Sequence, residues 1–254
     1  MLWDPQQYAR YGEERSRPFF DLVGQVMASS PASVVDLGSG PGALTASLAQ
    51  RWPSAQVLGI DSSPEMIAQA TGYRTDAVSF SLADAADFSA VGVDVVVSNA
   101  LLQWVPGHLE LLKRWASELN DGGWLALQVP ANFDSPSHQL MRAVASSPRW
   151  RDQLGEVLRH REPVAKPDAY VDLLADAGMR VNAWQTEYLH VLQGDDPVLE
   201  WVRGTGLRPV LNILSGDEVA WFEAGYATLL RDAYPKRPYG TVFPFRRTFV
   251  VASK

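Results

Sequence analysis

The sequence predicts a doubly wound α/β fold, in which helices cover both faces of a mostly parallel sheet of about seven strands and a helical cap is added. Three observations predict this fold. Apolar runs of strand length alternate with helix-like segments over the first half of the 254-residue chain. A glycine-rich turn joins the first strand to the first helix of the series. After Pro130 the alternation lapses into helical stretches and returns to a strand only twice.

Each element of the first half has a local reason. Asp61-Ser62-Ser63 supplies a helix N-cap, Pro64 takes the first helical position, and Asn120-Asp121-Gly122-Gly123 ends a later helix. Strands that alternate with helices pair in parallel and bury both faces of the sheet. The predicted strands are 33–37, 56–60, 78–82, 93–97 and 124–129, and the predicted helices are 43–51, 64–71 and 109–119.

The second half predicts a cap. Residues 133–177 are helical and irregular, 180–192 alternates as a strand, 197–233 is helical and 248–252 is a closing strand. No low-complexity linker or internal repeat divides the chain. We therefore predict a single domain over residues 1–254, with a ligand-binding core at about 30–132 and cap insertions at about 133–177 and 195–247.

Composition excludes several classes of protein. With 46% hydrophobic and 20% charged residues, the chain is not disordered, and no apolar stretch approaches the roughly 20 residues that cross a bilayer. The N-terminus lacks the basic and apolar regions of an export signal, which predicts a cytoplasmic location. The chain has no cysteine and four histidines, so we expect no disulfide, no cysteine nucleophile and no metal site.

Charge is unevenly distributed. The net charge of −7 argues against sequence-independent binding of nucleic acid. Residues 203–254 nevertheless carry eight Lys and Arg against four acids, a balance of +4 that leaves −11 for residues 1–202. On charge alone, a solvated basic surface is the favoured interpretation of this region, and a pocket for a small anion is the alternative.

The turn Asp36-Leu37-Gly38-Ser39-Gly40-Pro41-Gly42-Ala43 ends a strand and opens a helix, where glycines allow a ligand to approach the backbone closely. Gly38, Gly40 and Ala43 satisfy the dinucleotide pattern G-x-G-x-x-A, and Asp61 follows at about the spacing of its ribose acid. This pattern alone leaves an NAD-binding oxidoreductase open as a hypothesis.

Three neighbouring residues favour another ligand. Asp36 places a carboxylate before the first glycine. Its negative charge would repel a pyrophosphate and would attract an ammonium group. Gly42 adds a glycine that the dinucleotide pattern does not require, and Asp84 offers an acceptor after the third strand. A ligand with an amine, a ribose and an exocyclic amine suits these acids, which indicates S-adenosylmethionine (SAM).

The segments D-L-G-S-G-P-G and G-I-D-S-S-P-E-M-I resemble motifs I and II of the class I SAM-dependent methyltransferases, which have a Rossmann-like fold. The resemblance implies SAM as cofactor and a contact for each matching position. The residues implied to contact the methionine end and its amino group are Asp36, Gly38, Gly40, Gly42, Asn99 and Ala100. Asp61 is implied to bind the ribose, and Ser62 and Met66 to lie beside the ribose and adenine. Asp84 and Ala85 are implied to contact the edge of the adenine.

Further segments resemble the trans-aconitate 2-methyltransferase family: W-D-P with Tyr8, E-R-S-R-P at 14–18, N-A-L-L-Q-W-V-P at 99–106 and W-V-R-G-T-G-L-R-P at 201–209. The resemblance covers nearly the whole chain, and is weakest at 146–166 and 215–228. It implies methyl transfer from SAM to one carboxylate of trans-aconitate, giving a monomethyl ester and S-adenosylhomocysteine (SAH).

This chemistry requires no general base, because a carboxylate with a pKa near 4 is already an ionised nucleophile at pH 7. Gln103 and Trp104, after the fourth strand, are expected to position the reactants. Arginine pairs well with carboxylates, so the basic C-terminal region becomes a candidate anion site. The expected substrate-binding residues are Tyr8, Arg15, Arg17, Trp104, Arg208, Arg246 and Arg247.

The expected partner is a small polycarboxylate, with no nucleic acid and no membrane, and the chain is expected to be a monomer or a weak homodimer. Within enzymes, the alternative is a SAM-dependent O-methyltransferase for another small carboxylic acid or a phenol. A SAM-binding regulatory protein without catalysis is a different class, which predicts SAM binding with no release of SAH. NAD binding in place of SAM would favour the oxidoreductase.

Overall fold

The computed structural model describes residues 12–158 and 164–254, with side chains from residue 16 onward. Its seven strands form one sheet with the order β3-β2-β1-β4-β5-β7-β6. β1 pairs in parallel with both β2 and β4, β2 with β3, and β4 with β5, so the predicted fold class is confirmed. The strands are β1 Ser33–Leu37, β2 Gln56–Asp61, β3 Val78–Leu82, β4 Val95–Asn99, β5 Trp124–Pro130, β6 Arg180–Leu192 and β7 Thr241–Ser253.

Helices connect these strands in the described part of the chain. Short 3-10 turns lie within the connections between strands, at Thr71–Tyr73, Ala85–Asp87 and Leu102–Trp104. None of the helices in residues 12–158 and 164–254 has the length and apolarity that a membrane crossing requires. The α-helices are α1 Gly12–Val23, α2 Ala43–Arg51, α3 Pro64–Ala70, α4 His108–Glu118, α5 Pro136–Ala145, α6 Arg151–Leu154, α7 Pro167–Asp176, α8 Pro197–Arg203, α9 Arg208–Leu211 and α10 Asp217–Ala233.

The predicted cap of α3 is present. The Ser63 hydroxyl accepts a hydrogen bond from the Met66 N–H at 3.2 Å, and Pro64 occupies the first turn. Pro64 lacks a backbone N–H, which costs nothing at a position where that N–H has no partner within the helix. The chain therefore turns sharply from β2 into α3 and leaves Asp61 at the strand end.

The chain divides into two compact units. Within the described residues, unit 1 comprises 12–129, 164–186 and 248–254, and unit 2 comprises 130–158 and 187–247. The core of unit 1 contains Leu127 and Val96 of the sheet together with Trp115 of α4 and Tyr170 and Leu174 of α7, all fully buried. This burial explains why α7, which the sequence analysis assigned to a cap insertion, belongs with the sheet core of unit 1.

Unit 2 has its own apolar interior. Trp201 of α8 is fully buried and lies against Phe243 and Phe245 of β7, with ring centroids 5.8 and 5.6 Å away. Tyr226 of α10 is fully buried, and its hydroxyl donates to the Ser137 carbonyl of α5 at 2.7 Å. Helices α5 and α10 are thereby held together.

The predicted bounds of β4 and β7 are wrong, and β2 and β5 each end one residue later than predicted. β4 lies two residues later than predicted, because Val95–Asn99 pair with Trp124–Gln128 of β5, whereas the Val93 N–H donates to Ala90 within a turn. β7 begins at Thr241 rather than at Thr248. Its alternating burial places Phe243 and Phe245 against Trp201, and Pro244 and Arg246-Arg247 interrupt the apolar pattern that would have indicated this half of the strand.

Candidate active site

The glycine loop between β1 and α2 contains three glycines with left-handed backbone, Gly38, Gly40 and Gly42, at φ of 78°, 55° and 90°. A Cβ at Gly38 would lie 2.9 Å from the Leu101 Cβ, and one at Gly42 would lie 2.8 Å from the Ala70 Cβ. A Cβ at Gly40 would meet no atom within 4 Å. Gly38 and Gly42 therefore also serve close packing, whereas Gly40 lies beside open space.

Asp61 ties this loop to the end of β2. One carboxylate oxygen accepts from the Gly40 N–H at 2.9 Å, and the other accepts from the Ser63 N–H at 2.9 Å. These two bonds fix the orientation of the carboxylate before any ligand arrives. A preorganised acceptor of this kind is suited to binding a pair of hydroxyl groups.

An open cleft of about 210 Å³ lies at the carboxyl edge of β1, β2 and β3 in unit 1. Its wall includes the carboxylates of Asp61 and Asp84 and contains no basic side chain among its described lining residues. Six residues predicted for the site meet there: Gly38, Asp61, Ser62, Asp84, Ala85 and Trp104. Asp84 also caps the following 3-10 turn, because its carboxylate accepts from the Ala86 N–H at 2.9 Å.

Asp36 and Met66 are not among the residues that line this cleft. Asp36 is buried in β1, and its carboxylate accepts from the Thr45 hydroxyl at 2.6 Å. Burial, opposed by the Thr45 hydrogen bond and reinforced by the charge of Asp61, raises the pKa of Asp36 to about 7. Met66 is buried in α3. Roles for Asp36 and Met66 in binding the cofactor stay predictions.

The end of β4 carries a strained turn. Ala100 has a φ of 56°, and among the described residues it is the one non-glycine with a left-handed backbone. Such a residue costs about 1–3 kcal/mol and is typical of functional sites. Its N–H donates to the Gln128 carbonyl at 2.9 Å, and its carbonyl accepts from the Gln103 side-chain amide at 2.6 Å. Nothing in the sequence indicated the strain.

Two buried acceptors flank this turn. The Asn99 Oδ1 and the Gln103 Oε1 have no hydrogen-bond partner within residues 12–158 and 164–254. A buried acceptor without a donor is unfavourable, so each favours a ligand that brings an N–H group. With the two carboxylates of the cleft, these amide oxygens fit a cationic ligand that carries an ammonium group. SAM has this chemistry, whereas the pyrophosphate of a dinucleotide would meet no positive side chain in the described cleft wall.

The predicted substrate residues of the N-terminal segment are only partly described. Tyr8 lies outside the described residues, as does the side chain of Arg15. Arg17 lies on α1 with 73% of its side chain exposed, and its Nε is 3.7 Å from a carboxylate oxygen of Asp21. An exposed pair of this kind contributes little to stability.

The three predicted arginines of the basic C-terminal region lie in unit 2. Arg208 is the first residue of α9. Arg246 is partly exposed on β7, and its Nε is 4.0 Å from a carboxylate oxygen of Glu187. Arg247 is buried, with its guanidinium carbon 4.6 Å from the ring centroid of Phe245. A cation over a ring face is stabilised by the ring quadrupole.

The sequence analysis missed several apolar residues of the cleft wall, because nothing in their residue types distinguishes them from core. These are Ile60, Ala83, Ala86, Leu101, Val105 and Pro106. Ile60 lies near the end of β2 and the others follow β3 or β4, and only this position at the strand ends could have indicated them. Within the described ranges, no group of three or more His, Cys, Asp or Glu side chains could hold a metal ion.

Comparison with known proteins identifies the family. Residues 8–183 match a family model described as a methyltransferase domain. Two similar relatives are the trans-aconitate 2-methyltransferases of Streptomyces avermitilis, 50% identical over 99% of this chain and 97% of that protein, and of Rhodococcus jostii, 51% identical over 99% of both chains. The chain belongs to the trans-aconitate 2-methyltransferase family. It is therefore a SAM-dependent methyltransferase, and the hypothesis of an NAD-dependent oxidoreductase is wrong.

Solved structures show the same fold in more distant proteins. The YcgJ protein of Bacillus subtilis aligns with a TM-score of 0.59 at 14% identity, covering 94% of this chain and 98% of that one. The plantazolicin methyltransferase BpumL, solved in complex with SAH, aligns with a TM-score of 0.54 at 17% identity, covering 98% of this chain and 90% of that one. At these identities the likeness concerns the fold alone.

Proposed function

We propose that the protein transfers the methyl group of SAM to one carboxylate of trans-aconitate, giving the monomethyl ester and SAH. The observation that carries the proposal is the cleft of unit 1, where the carboxylates of Asp61 and Asp84, with no basic side chain among the described lining residues, favour a cationic cofactor. The names of relatives about 50% identical over nearly the full chain support trans-aconitate as the acceptor.

When bound, SAM supplies a methyl group on a sulfonium, a good leaving group. A carboxylate oxygen of the acid would form the new O–C bond as the S–C bond of bound SAM breaks, and the S–C bonding pair would remain on the sulfur of SAH. No proton moves, so the chain needs no base, and its task is to align the reactants and exclude water. We assign cofactor binding to Gly38, Gly40, Asp61, Ser62, Asp84, Ala85, Asn99 and Ala100.

Two residues after β4 are suited to positioning. Gln103 is fixed by its hydrogen bond to the Ala100 carbonyl, and Trp104 lines the cleft with 37% of its surface exposed. A large ring with one open face can cover a methyl group and shield it from water. The arginines Arg208, Arg246 and Arg247 of unit 2, with Arg15 and Arg17, are the proposed source of positive charge for the acid.

The test is a panel of acceptors. The purified protein is incubated with SAM and, separately, with trans-aconitate, cis-aconitate, citrate, isocitrate and a phenol, and SAH is measured by chromatography. We expect the highest kcat/KM with trans-aconitate. Efficient turnover of another acid or of the phenol, with none of trans-aconitate, would refute the assigned acceptor, and SAM binding without SAH from any acceptor would support a regulatory protein. The monomeric or weakly dimeric state and the cytoplasmic location stay predictions.

A further inference from the structure

The 131–138 turn of unit 2, which runs from the end of β5 into the first turn of α5, contains a buried side-chain amide without a hydrogen-bond partner in the described part of the chain. Asn132 is 3% exposed, and neither its Nδ2 nor its Oδ1 has a hydrogen-bond partner in the described part of the chain. Native proteins pair nearly all buried polar groups with protein, water or ligand. A side chain that leaves both a donor and an acceptor unpaired in the interior therefore indicates a binding site.

The fold of the turn does not use this amide. The Ser135 N–H donates to the Asn132 backbone carbonyl at 3.0 Å, which closes the turn through the main chain. The hydroxyls of Ser135 and Ser137 are 2.9 Å apart, and the His138 Nδ1 lies 3.3 Å from the Ser137 hydroxyl. These contacts pair the two serine hydroxyls and the His138 Nδ1 with one another. The Asn132 side chain is left over.

His138 offers a second donor to the same turn. In the tautomer whose Nδ1 accepts from the Ser137 hydroxyl, the neutral ring carries its proton on Nε2 and can donate it to a ligand. Burial and the nearby charge of Arg142 lower the pKa of His138 to about 4, so the ring is neutral at pH 7. A Cβ on residue 206 would lie 3.0 Å from that Nε2. Gly206 has no left-handed backbone that would require glycine, so what its missing side chain provides is room at Nε2.

Two arginine-bearing segments of unit 2 also meet this turn. The Ala131 N–H donates to the Arg246 carbonyl at 2.8 Å, which brings β7 against the start of the turn. Gly206, beside His138, lies two residues before Arg208. The charges that act on His138 are the positive charge of Arg142 and the negative charge of Asp134, so the choice of an anion rests on the two N–H donors and not on net charge.

We propose that Asn132 and His138 form a carboxylate-binding subsite for the acid substrate, in which the Asn132 Nδ2 and the His138 Nε2 donate to the carboxylate oxygens. The Asn132 Oδ1 accepts from a water that accompanies the acid, since an ionised carboxylate has no donor. The subsite rests on the proposed function, because it takes its ligand from the acceptor assigned there. It distinguishes polycarboxylates from acceptors without a second carboxylate.

The first test replaces the amide with an apolar side chain of similar size, Asn132→Leu. Binding of trans-aconitate to the SAH-loaded protein is measured by titration calorimetry, and we expect the Kd of the acid to rise at least about tenfold while the Kd of SAM changes less than about twofold. Without ligand, the Tm is expected to stay or rise, because the substitution removes an unpaired polar group. The matched control is Asn120→Leu, whose amide donates to Asp94 at 2.7 Å, and which should lower the Tm and leave the Kd of the acid unchanged.

The second test fills the space at His138 with Gly206→Ala. We expect weaker binding of the acid, by about fivefold to tenfold, with an unchanged Kd for SAM. The control is Gly225→Ala on α10, where a Cβ would meet no atom within 4 Å. An unchanged Kd of the acid in Asn132→Leu, or equal losses for the acid and SAM, would overturn the subsite.

Failure of the proposed function is distinguishable. If the acceptor panel identifies a different polycarboxylate, the same variants are titrated with that acid, and a loss confined to it supports the subsite. If the acceptor is a phenol without a carboxylate, and Asn132→Leu binds it as the unchanged protein does, the subsite is refuted together with the proposed acceptor.

Discussion

The cofactor cleft of unit 1 and the 131–138 turn of unit 2 hold their polar groups in opposite ways. In the cleft, Asp61 is fixed by N–H groups of Gly40 and Ser63, so the backbone after two neighbouring strands orients the charge that meets the ligand. In the turn, the Asn132 side chain is buried, and its amide has no described partner. The first site is assembled at the ends of adjacent parallel strands, which the βα pattern of the sequence predicts, whereas the environment of Asn132 depends on packing that no sequence pattern indicates.

The difference extends to charge. In unit 1 a carboxyl group, Asp36, is buried at a raised pKa, and in unit 2 an imidazole, His138, is half-buried at a lowered one. Both groups are held closer to neutrality than in water, because burial disfavours the charged form of either. They give the two units stability that depends on pH with opposite sign.

The largest expected effect concerns Asp36. Its folded pKa of about 7 exceeds the ordinary 3.8, so between about pH 4 and pH 7 the folded chain keeps a proton that the unfolded chain releases. The free energy of unfolding therefore falls across that window, by up to about 4 kcal/mol, and levels off above it. Asp36→Asn, which can still accept from Thr45, removes this fall. The Tm difference between variant and unchanged protein, measured without cofactor, should grow from pH 5 to pH 8, and a constant difference would contradict the assignment.

The next effect belongs to unit 2 and has the opposite sign. His138 has a folded pKa of about 4 against an ordinary 6.5, so between these values the unfolded chain binds a proton that the folded chain does not. Stability is therefore present above about pH 6.5 and is lost as the pH falls to 4, by up to about 3 kcal/mol. His138→Gln should flatten the Tm profile between pH 4 and 6.5. A variant whose acid-side slope equals that of the unchanged protein would show that another group is responsible.

Two glycines of the same loop separate packing from ligand approach. Gly42→Ala combines a left-handed backbone with a Cβ 2.8 Å from the Ala70 Cβ, and we expect it to cost about 3 kcal/mol of stability. Gly40→Ala meets no atom within 4 Å, so its cost is the backbone strain of about 1 kcal/mol. Urea denaturation measures both. Equal losses would mean that the crowding at Gly42 is relieved by movement of α3.

These glycines show how far the sequence could predict the site. The spacing of Gly38, Gly40 and Gly42 predicted the loop, and Asp61 and Asp84 were placed correctly at the strand ends, because they follow three successive strands of a regular βα alternation. The sequence did not distinguish Gly40, which is open, from Gly42, which is packed. That distinction depends on Ala70, a residue of another helix.

The prediction of the fold succeeded where the pattern of an element is local. It failed where packing against distant residues determines the element. β3 and β6 have the predicted bounds, since their apolar pattern is local. The first half of β7 was missed, because Phe243 and Phe245 are recognisable as strand residues only once Trp201 lies against them. Asn132 was missed likewise, since an asparagine after a strand has no pattern that reveals a buried unpaired amide.

Removal of the Asp61 carboxylate tests whether the cleft of unit 1 binds the ribose of SAM. Asp61→Ala deletes the acceptor of two backbone N–H groups and of the ligand's hydroxyls, and we expect SAM to bind about 10- to 100-fold more weakly, or about 2 kcal/mol. Titration calorimetry measures the Kd. Asp121→Ala, in an exposed turn of the same unit, is the control and should bind SAM normally. Unchanged affinity in Asp61→Ala would mean that the cleft does not hold the cofactor's ribose.

The smallest expected effect concerns the hydrogen bonds that hold the 131–138 turn from helix α10 and the residue that follows it. The Tyr226 hydroxyl donates to the Ser137 carbonyl at 2.7 Å, and the Tyr234 hydroxyl accepts from the Ser137 N–H at 3.0 Å, so two tyrosines hold the start of α5. Tyr226→Phe removes one buried bond and should cost about 1 kcal/mol of stability. Because the bond to Tyr234 still holds Ser137, the Kd of the acid should change less than about twofold. The control is Tyr239→Phe, in which the tyrosine is exposed. A larger loss of acid binding in Tyr226→Phe than in this control would show that the conformation of the turn depends on packing against α10.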